Sequence, residues 1–408
     1  MKHPDRRTFL AQTVGALTGI ALVPDLADAF PRPQGPPLSV GLVGSGRQGR
    51  AILAELQKLE PVRVAGICDV SATRLRVALD RIPGGKGFGD HRALLDLSEV
   101  QAVIVATPTH LHREIVLDAL QAGKHVYCEA PLAHTIEETR AIASAAAGAK
   151  QIVQAGFQAR SNPVYKRAQP LVHTELRELV SLSAQHHRKT SWRFPSPEPD
   201  GERAANWRLD PAISLGLAGE IGSHQFDVAT WFLGETPRRA SGRGTIRFHH
   251  DGRAVADTIQ LDLTWAGDLV LRYEATIANS FGGEYEVFHG ANAALKLAGT
   301  HGWLFKETDA PTQGWEVYAT RQQFHNEEGI VLVADATKLA AQGRLKEGAG
   351  LPHPPLYYAL ADFLRSCTEA TPVACGAEDG ARSTIVGILA NRAILQGAAV
   401  DLELNPAD

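Results

Sequence analysis

Residues 41–56 read GLVGSGRQGRAILAEL, in which three glycines follow an apolar segment and open an amphipathic one. Gly44 permits a tight turn, Gly46 lets the backbone approach a pyrophosphate, and Gly49 allows a helix to pack closely on a strand. The N-terminus of such a helix offers free N–H groups and the positive end of its dipole to phosphates. The pattern predicts a dinucleotide-binding strand, turn and helix, whose other turn residues are Ser45, Arg47 and Gln48.

A carboxylate follows the next apolar segment. Asp69 stands about 20 residues after Gly49, where a carboxylate can accept hydrogen bonds from both hydroxyls of a ribose. Its negative charge would repel a 2′-phosphate, so the sequence predicts NAD rather than NADP. Arg74 lies near enough along the chain to keep NADP open as the alternative cofactor.

Short apolar segments and amphipathic segments continue to alternate up to residue 155. The predicted strands are 38–43, 62–68, 102–107, 125–128 and 151–156. Alternation of this kind is typical of a parallel sheet that is covered by helices on both faces. The sequence therefore predicts an NAD-binding Rossmann domain, with a doubly wound parallel sheet, over residues 38–155.

The chain changes character after residue 155. Segments such as 258–265 and 284–290 alternate apolar and polar residues, which predicts antiparallel strands with one covered face. Residues 351–408 return to helical spacing, whereas 308–350 favours no element. The predicted fold class is thus α/β: a Rossmann domain, an α+β domain with a mostly antiparallel open sheet over 156–350, and C-terminal helices that pack on both. The free face of the open sheet predicts a homo-oligomer, either a dimer or a tetramer.

The first residues form a separate segment. The pair Arg6–Arg7 precedes an uncharged stretch, 8–24, and the small-x-small sequence Ala27-Asp28-Ala29 follows. The order of these features predicts a twin-arginine signal peptide over 1–29 and a linker over 30–37. The uncharged stretch is shorter than the roughly 20 residues of a membrane span. We therefore expect the twin-arginine translocon as a partner during export, no stable membrane anchor, and a periplasmic or secreted protein.

Composition excludes other classes of partner. The chain has 41 Lys and Arg against 45 Asp and Glu, a formal charge of −4, and no run of like charge that is typical of nucleic-acid binding. No spacing of Cys and His indicates a metal site, so no metal is predicted. Four cysteines are few for an exported protein, and a bridge between Cys367 and Cys375 stays open. The class of partner that the composition leaves is a small, neutral or mildly charged substrate.

Four further segments occur in a familiar order: ATPTHLH (106–112), CEAP (128–131), GFQAR (156–160) and GEIGSHQFD (219–227). Together with the glycine-rich turn they resemble the Gfo/Idh/MocA oxidoreductases, nicotinamide-dependent enzymes that transform sugars. The resemblance covers nearly all of the chain after the signal segment. It implies cofactor contacts from Thr107, Pro108, His112, Glu129 and Gln158, with Glu129 near the nicotinamide ribose and Gln158 near the ring. It also implies a substrate contact from Arg160.

One position departs from the family pattern. The family usually has Glu-Lys-Pro where this chain has Glu129-Ala130-Pro131, and the family lysine contacts the hydroxyl that is oxidised. Ala130 has no group for this task. Lys189 is a candidate to supply the ammonium from the end of a strand that also brings His186 or His187 toward the substrate. Because side chains alternate along a strand, only one of these two histidines can face the substrate. The alternative is a polar strand end without a catalytic role.

The segment 219–234 carries the remaining candidates. Glu220, His224 and Asp227 are spaced by four and three residues, so they share one face of a predicted helix. A carboxylate one turn from an imidazole fixes its tautomer and raises its pKa. We expect His224 to act as a general base with Glu220 as its partner and Glu129 as a further catalytic group, whereas Asp227 would contact the substrate. A solvated acidic stripe is the alternative.

The segment Asn206-Trp207-Arg208 could offer a stacking platform for a sugar ring, so Asn206 and Trp207 are predicted to bind the substrate. A tryptophan that is simply buried in a core is the alternative.

An exported enzyme would have to retain NAD, because free cofactor is not expected outside the cytoplasm. The hydride would then be returned or passed on within each cycle. We predict a tightly bound NAD and a sugar or glycoside substrate, with glycoside cleavage through transient oxidation as in glycoside hydrolase family 109. Two alternatives stay open: paired oxidation and reduction of two sugars, as in glucose-fructose oxidoreductase, and binding of a sugar or nucleotide without catalysis.

Overall fold

The computed structural model of the protein describes residues 37–196, 201–332 and 350–402. The predicted signal peptide, and the predicted linker except for its last residue, lie outside these ranges. Two sheets organise the described residues, one with six strands and one with ten.

The first sheet is formed by six strands, numbered β1–β6 along the chain: Leu38–Val43, Val62–Cys68, Lys86–Phe88, Ala102–Val105, His125–Cys128 and Val153–Ala155. All neighbours are parallel, and the spatial order is β3-β2-β1-β4-β5-β6. The connecting helices are α1 to α5: Arg47–Leu56, Ala72–Leu79, His91–Leu95, His112–Gln121 and Ile136–Ala147. The predicted doubly wound parallel sheet is confirmed.

The central strands bring the glycine-rich turn and the segment after β4 together. Every residue of β1 and β4 is buried, as expected for parallel strands that are covered on both faces. Their register pairs Val43 with Val105, so Gly44 and Ala106 leave the sheet side by side. The strand order reverses at this point, and ligands of open α/β sheets bind in the crevice outside such a reversal.

The second sheet contains the other ten strands, β7–β16: Leu179–His187, Arg239–Thr245, Thr258–Thr264, Val270–Thr276, Glu284–Gly290, Ala293–Ala298, His301–Lys306, Arg321–Gln323, Glu328–Val331 and Val400–Asp401. Their order is β14-β15-β13-β12-β11-β7-β10-β9-β8-β16. The paired strands are antiparallel, except that β7 and β10 run parallel. The predicted mostly antiparallel sheet is therefore confirmed, and β14 and β15 fall in the stretch that favoured no element.

Five helices accompany the second sheet: α6 to α10, at Pro163–Thr174, Glu202–Ala205, Ser223–Leu233, Pro355–Glu369 and Ala377–Gln396. A π-helical turn, Ala218–Gly222, runs directly into α8. Leu360 and Phe363 of α9 pack in the core beside β1, whereas Val386 of α10 belongs to the core of the second sheet. The two C-terminal helices thus hold the second sheet against the first.

Two further features of the structure concern the cysteines and the length of the helices. The thiols of Cys68, Cys128, Cys367 and Cys375 are all free, so Cys367 and Cys375 are not bridged. Among the described residues, no helix combines the length and apolarity that a membrane crossing requires.

Candidate active site

The three glycines of the turn meet the requirements of a pyrophosphate site. Gly44 has φ +94° and lies against the next strand end, where an added Cβ would come within 2.6 Å of the Ala106 carbonyl oxygen. An added Cβ at Gly49 would lie 2.0 Å from the carbonyl oxygen of Gly44, so helix and turn touch there. Gly46, in contrast, has no atom within 4 Å of the Cβ position. Only Gly46 faces open space, which is the side from which a phosphate would approach.

The N-terminus of α1 has no competing partner. Its N-cap is Gly46, no side chain of the described residues caps the helix, and the first turn holds no acidic residue. Since the first N–H groups of a helix have no partner within it, they stay free for an anion.

Asp69 lies at the end of β2 and is tied to the glycine-rich turn. One carboxylate oxygen accepts hydrogen bonds from the backbone N–H and the hydroxyl of Ser45, both at 2.8 Å, and the other accepts from the Ser71 N–H at 2.9 Å. A carboxylate has about four acceptor positions, so Asp69 keeps capacity for a ribose hydroxyl. Arg74, in the first turn of α2, and Asp69 line one and the same cleft.

A cleft of about 1320 Å³ runs from Asp69 past the glycine-rich turn to the second sheet's helices. Drug-sized ligands usually occupy pockets of about 300–1,000 Å³, so this cleft has room for a dinucleotide and a second small molecule. Its lining includes most of the predicted cofactor residues: Gly44, Gly46, Arg47, Gln48, Asp69, Arg74, Thr107, Pro108, His112, Glu129 and Gln158. Ser45 and Gly49 lie behind that wall and shape it.

His112 braces two segments of the cleft wall. Its ring nitrogens lie 2.9 Å from the carbonyl oxygen of Pro131 and 3.0 Å from that of Thr107. Burial lowers the pKa of His112 to about 4, so the ring is neutral and donates to one carbonyl at a time. The residue predicted to touch cofactor therefore acts at least in part by holding the ends of β4 and β5 together.

Two buried oxygens on this wall lack partners. The Thr107 hydroxyl and Oε1 of Glu129 form no hydrogen bond with any described residue. A buried polar group without a partner is unfavourable, so both atoms are fit to contact a ligand. Burial raises the pKa of Glu129 to about 7, although contacts with Gln48 and Tyr127 lower it in part. The described residues thus fit NAD on three counts: a free helix N-terminus, a carboxylate with acceptor capacity left for a ribose hydroxyl, and unpaired oxygens along the cleft.

His224, in the first turn of α8, lines the other end of the cleft together with Glu129 and Ala130. Its ring lies 5.5 Å from the ring of Phe157. Burial lowers the pKa of His224 below its usual 6.5, and the charge of Glu284 and the backbone carbonyl of Ala130 oppose this shift only in part. A ring that donates one N–H to a carbonyl has its other nitrogen free to accept a proton. His224 is therefore neutral and poised as a base.

Glu220 does not orient His224, contrary to the prediction. Its two carboxylate oxygens accept from the Thr109 hydroxyl at 3.0 Å and from the Leu215 N–H at 3.1 Å. The carboxylate is instead held by residues outside α8, one in the first domain and one ahead of the π-helical turn. The His224 pKa is also lowered rather than raised. Glu220 lines the cleft, but as an anchor between the two domains.

Arg160 and Asp227 form a buried ion pair rather than a substrate site. The guanidinium makes hydrogen bonds of 2.9–3.1 Å to the Asp227 carboxylate, which also accepts from the Ser383 hydroxyl at 2.7 Å. Neither Arg160 nor Asp227 lines the cleft. Asp227 lies one turn after His224 on α8, but its carboxylate is held by Arg160 and Ser383 and does not reach the cleft.

Three other predicted residues also lie away from the cleft lining. Lys189 is exposed, with its ammonium 5.2 Å from the ring centroid of Phe248, so it does not replace the family lysine. His186 has Nδ1 3.3 Å from a carboxylate oxygen of Glu284. The Asn206 side chain bonds both the N–H and the carbonyl of Phe194, which leaves it occupied in holding a loop. Trp207, in contrast, does line the cleft.

Arg208 was not predicted, although it follows two residues that were. It lies in a short 3-10 turn, Trp207–Leu209, and lines the cleft beside Glu220 and His224. His110 also lines the cleft, and its Nδ1 is buried without a partner among the described residues. A charged residue next to a tryptophan in the segment Asn206-Trp207-Arg208 was the available signal, since guanidinium groups stack on aromatic rings.

One group of side chains has the composition of a cation site. His91, Glu114 and Asp118 lie within ligand distance of one another. Arg92, however, reaches both carboxylates, with contacts of 2.5 Å to Glu114 and 3.0 Å to Asp118. The guanidinium already supplies the positive charge that this cluster needs.

Comparison with known proteins gives consistent matches over both domains. The model for the oxidoreductase family with an NAD-binding Rossmann fold, GFO_IDH_MocA, matches residues 38–157, and that for the GFO/IDH/MocA C-terminal domain matches 180–305. Myo-inositol 2-dehydrogenase of Thermotoga maritima is 23% identical over 90% of this chain and 99% of its own. Inositol 2-dehydrogenase of Pseudarthrobacter chlorophenolicus is 34% identical over 48% of this chain and 55% of its own.

Solved structures share the fold. Levoglucosan dehydrogenase in complex with NADH and levoglucosan superposes with a TM-score of 0.69 at 22% identity and covers 90% of this chain and 99% of its own. An oxidoreductase domain protein from Kribbella flavida reaches 0.73, also at 22% identity, with 90% and 99% covered. Since both family models match in order along a chain with this fold and an NAD-compatible cleft, the protein belongs to the Gfo/Idh/MocA family of oxidoreductases.

Proposed function

We propose that the protein is an NAD-dependent enzyme that oxidises a ring hydroxyl of a sugar, glycoside or cyclic polyol. The observation that carries this proposal is that His224, a neutral base, lines the same cleft as the glycine-rich turn. The names of two relatives, a myo-inositol and a levoglucosan dehydrogenase, support a polyhydroxylated ring as the substrate class.

Each residue of the cleft would contact a different part of the cofactor or the substrate, according to its position. The N-terminus of α1 would hold the pyrophosphate, Asp69 the adenosine ribose, and Glu129 the nicotinamide ribose. NAD, when bound, would supply the hydride acceptor. His224 would take the hydroxyl proton on the ring nitrogen that does not face Ala130, and Trp207 would stack against the sugar ring. The Asp69 charge favours NAD over NADP.

The test uses purified full-length protein and a panel of cyclic polyols, sugars and glycosides. Protein isolated without added cofactor is expected to carry NAD(H), and a substrate of the proposed class should change the NADH absorbance. NAD should support the reaction better than NADP. A protein that neither carries nor binds NAD would instead support the non-catalytic alternative.

A second candidate reaction is glycoside cleavage through transient oxidation. The observation that favours it is Ala130, whose methyl group lines the cleft next to His224 and leaves room for an aglycone. If the two electrons removed from the sugar return to it, the net change is addition of water across the glycosidic bond. A nitrophenyl glycoside should then release nitrophenol without any added acceptor and without net NADH. Paired oxidoreduction would require a second sugar as acceptor.

NAD affinity is expected to depend on the ionisation of Glu129. Its pKa is raised to about 7, and a ribose hydroxyl would donate to the ionised carboxylate. NAD would thus bind more tightly as the pH rises through about 7, and more weakly below it. Calorimetric titration at one pH unit above and one below pH 7 should show a several-fold difference in the Kd for NAD. Glu129→Gln should flatten this dependence, whereas Glu137→Gln, an exposed carboxylate on α5, should preserve it. Wild-type pH dependence in the Glu129→Gln variant would exclude this role.

The proposal extends to location and assembly. The order of Arg6–Arg7, an uncharged stretch and Ala27-Asp28-Ala29 supports export with NAD already bound. Substituting both arginines by lysine should retain the protein in the cytoplasm, as measured by cell fractionation, and unchanged export would contradict it.

The free face of the ten-stranded sheet supports a dimer or tetramer, which light scattering of the purified protein would detect.

A further inference from the structure

We propose that Arg208 holds the oxygen of the reacting hydroxyl and stabilises the negative charge that develops there. This inference rests on the proposed function and adds a second reacting group to it. Arg208 would supply charge, and His224 would accept the proton.

The position of the guanidinium is fixed from two sides. Its central carbon lies 4.5 Å from the ring centroid of Trp207 and 5.8 Å from that of Trp192. On the other side, Nε lies 3.9 Å from a carboxylate oxygen of Glu220, which is itself anchored by Thr109 and Leu215. A charged group that is held before the reaction needs no reorganisation during it.

The guanidinium nevertheless retains donor capacity. Nε of Arg208 is buried and makes no hydrogen bond with a described residue, and the 3.9 Å separation from Glu220 exceeds hydrogen-bond length. The side chain is 34% exposed, so the rest of the group reaches the cleft. An unpaired buried donor at a cleft wall is fit for a ligand oxygen.

Other arginines along the cleft have other surroundings. Arg47 of α1 lies over the ring of Phe194 at 5.5 Å and is close enough to Arg208 for the two charges to interact. Arg50 and Arg74 lie on α1 and α2, Arg92 is engaged with Glu114 and Asp118, and Arg203 is paired with Asp210. Arg208, in contrast, is close enough for its charge to act on Glu129, Glu220 and His224. Arg208 is therefore the cleft-lining arginine whose charge acts on His224.

The chemistry of the two side chains is complementary. A guanidinium stays protonated at all physiological pH values, so Arg208 cannot take the hydroxyl proton. It can donate to the oxygen, and this interaction strengthens as the proton leaves and negative charge grows. A single lysine could serve both tasks, but position 130 is alanine. Two residues on neighbouring elements, Arg208 and His224, would share them here.

The test compares Arg208→Gln, Arg208→Lys and Arg208→Ala with the wild type on a substrate found in the panel above. We expect Arg208→Gln to lower kcat about 100-fold, the effect of removing one donor to a developing oxyanion. NAD affinity and thermal stability should stay near wild type. Arg208→Lys should recover part of kcat, and added methylguanidinium should restore activity to Arg208→Ala. Arg243→Gln, which removes an exposed guanidinium on β8 that pairs with Gln260, is the matched control and should behave as wild type.

The outcomes separate this inference from the proposed function. If the wild type oxidises a substrate and Arg208→Gln keeps its kcat, the role of Arg208 is excluded while the function stands. If kcat falls only in step with NAD affinity and stability, Arg208 is a structural clamp for Trp207 and Glu220. If the wild type turns over no polyol, sugar or glycoside, both proposals fail.

Discussion

Replacement of His224 by alanine is expected to lower kcat about 10³-fold while NAD still binds with wild-type affinity. Positioned general bases contribute about 10²–10⁴-fold, and His224 is a neutral imidazole at the end of the cleft where Glu129 and Ala130 lie. The glycine-rich turn and Asp69, which would hold the cofactor, make no hydrogen bond or ion pair with it. The measurements are steady-state kinetics and calorimetric titration of NAD on the same preparation.

The matched control for this experiment is His289→Ala. His289 lies on β11, its pKa is likewise lowered by burial, and it does not line the cleft. It should retain wild-type kcat, so that a loss at His224 cannot be ascribed to removal of a half-buried imidazole. A His224→Ala variant within about tenfold of wild-type kcat would exclude general-base catalysis by this residue.

The first sheet could be predicted from sequence because its signals are local. The strands 38–43, 62–68 and 125–128 match the structure residue for residue, since each is a short apolar run bounded by turn residues. The predicted strand 102–107 ends two residues early, at Val105, because Ala106 and Thr107 leave the sheet to line the crevice. The glycine-rich turn was found for the same reason: its mechanism depends on three positions within six residues.

The end of the cleft that carries His224 was less predictable because its contacts are distant in sequence. Thr109 and Glu220 are separated by 111 residues, yet their hydrogen bond decides where the Glu220 carboxylate points. A helical period of 3.6 could anticipate neither the π-helical turn at Ala218–Gly222 nor the hydrogen bond from the Leu215 N–H to Glu220. Arg208 gains its role from Trp192 and Glu220, neither of which is adjacent to it.

The pair Arg160 and Asp227 shows the same limit, since 67 residues separate its members. Both are polar, both lie in family segments, and both were predicted to contact substrate. Yet the Asp227 side chain is fully buried and the Arg160 side chain is only 8% exposed. Such burial is typical of a structural ion pair, and a stability experiment can distinguish the two roles.

Asp227→Ala is therefore expected to lower the free energy of unfolding by about 3–5 kcal/mol, the usual cost of leaving a buried charge without its partner. The change would appear as a lower midpoint in urea denaturation. Asp379 is the matched control, because its carboxylate contacts the same guanidinium at 3.2 Å but is 41% exposed. Asp379→Ala should cost no more than about 1 kcal/mol, as is usual for exposed pairs.

Steady-state kinetics of the folded fraction of Asp227→Ala would decide between a structural role and a substrate-binding role for Asp227. If Asp227 and Arg160 hold the interface between α8 and the segment after β6, the KM for substrate should stay near wild type in Asp227→Ala below its unfolding transition. A raised KM with an unchanged urea midpoint would instead return Asp227 to the substrate site. Because Asp227 lies one turn after His224 on α8, the buried pair also fixes the position of the helix that carries His224. We therefore expect Asp227→Ala to lower kcat slightly without changing KM.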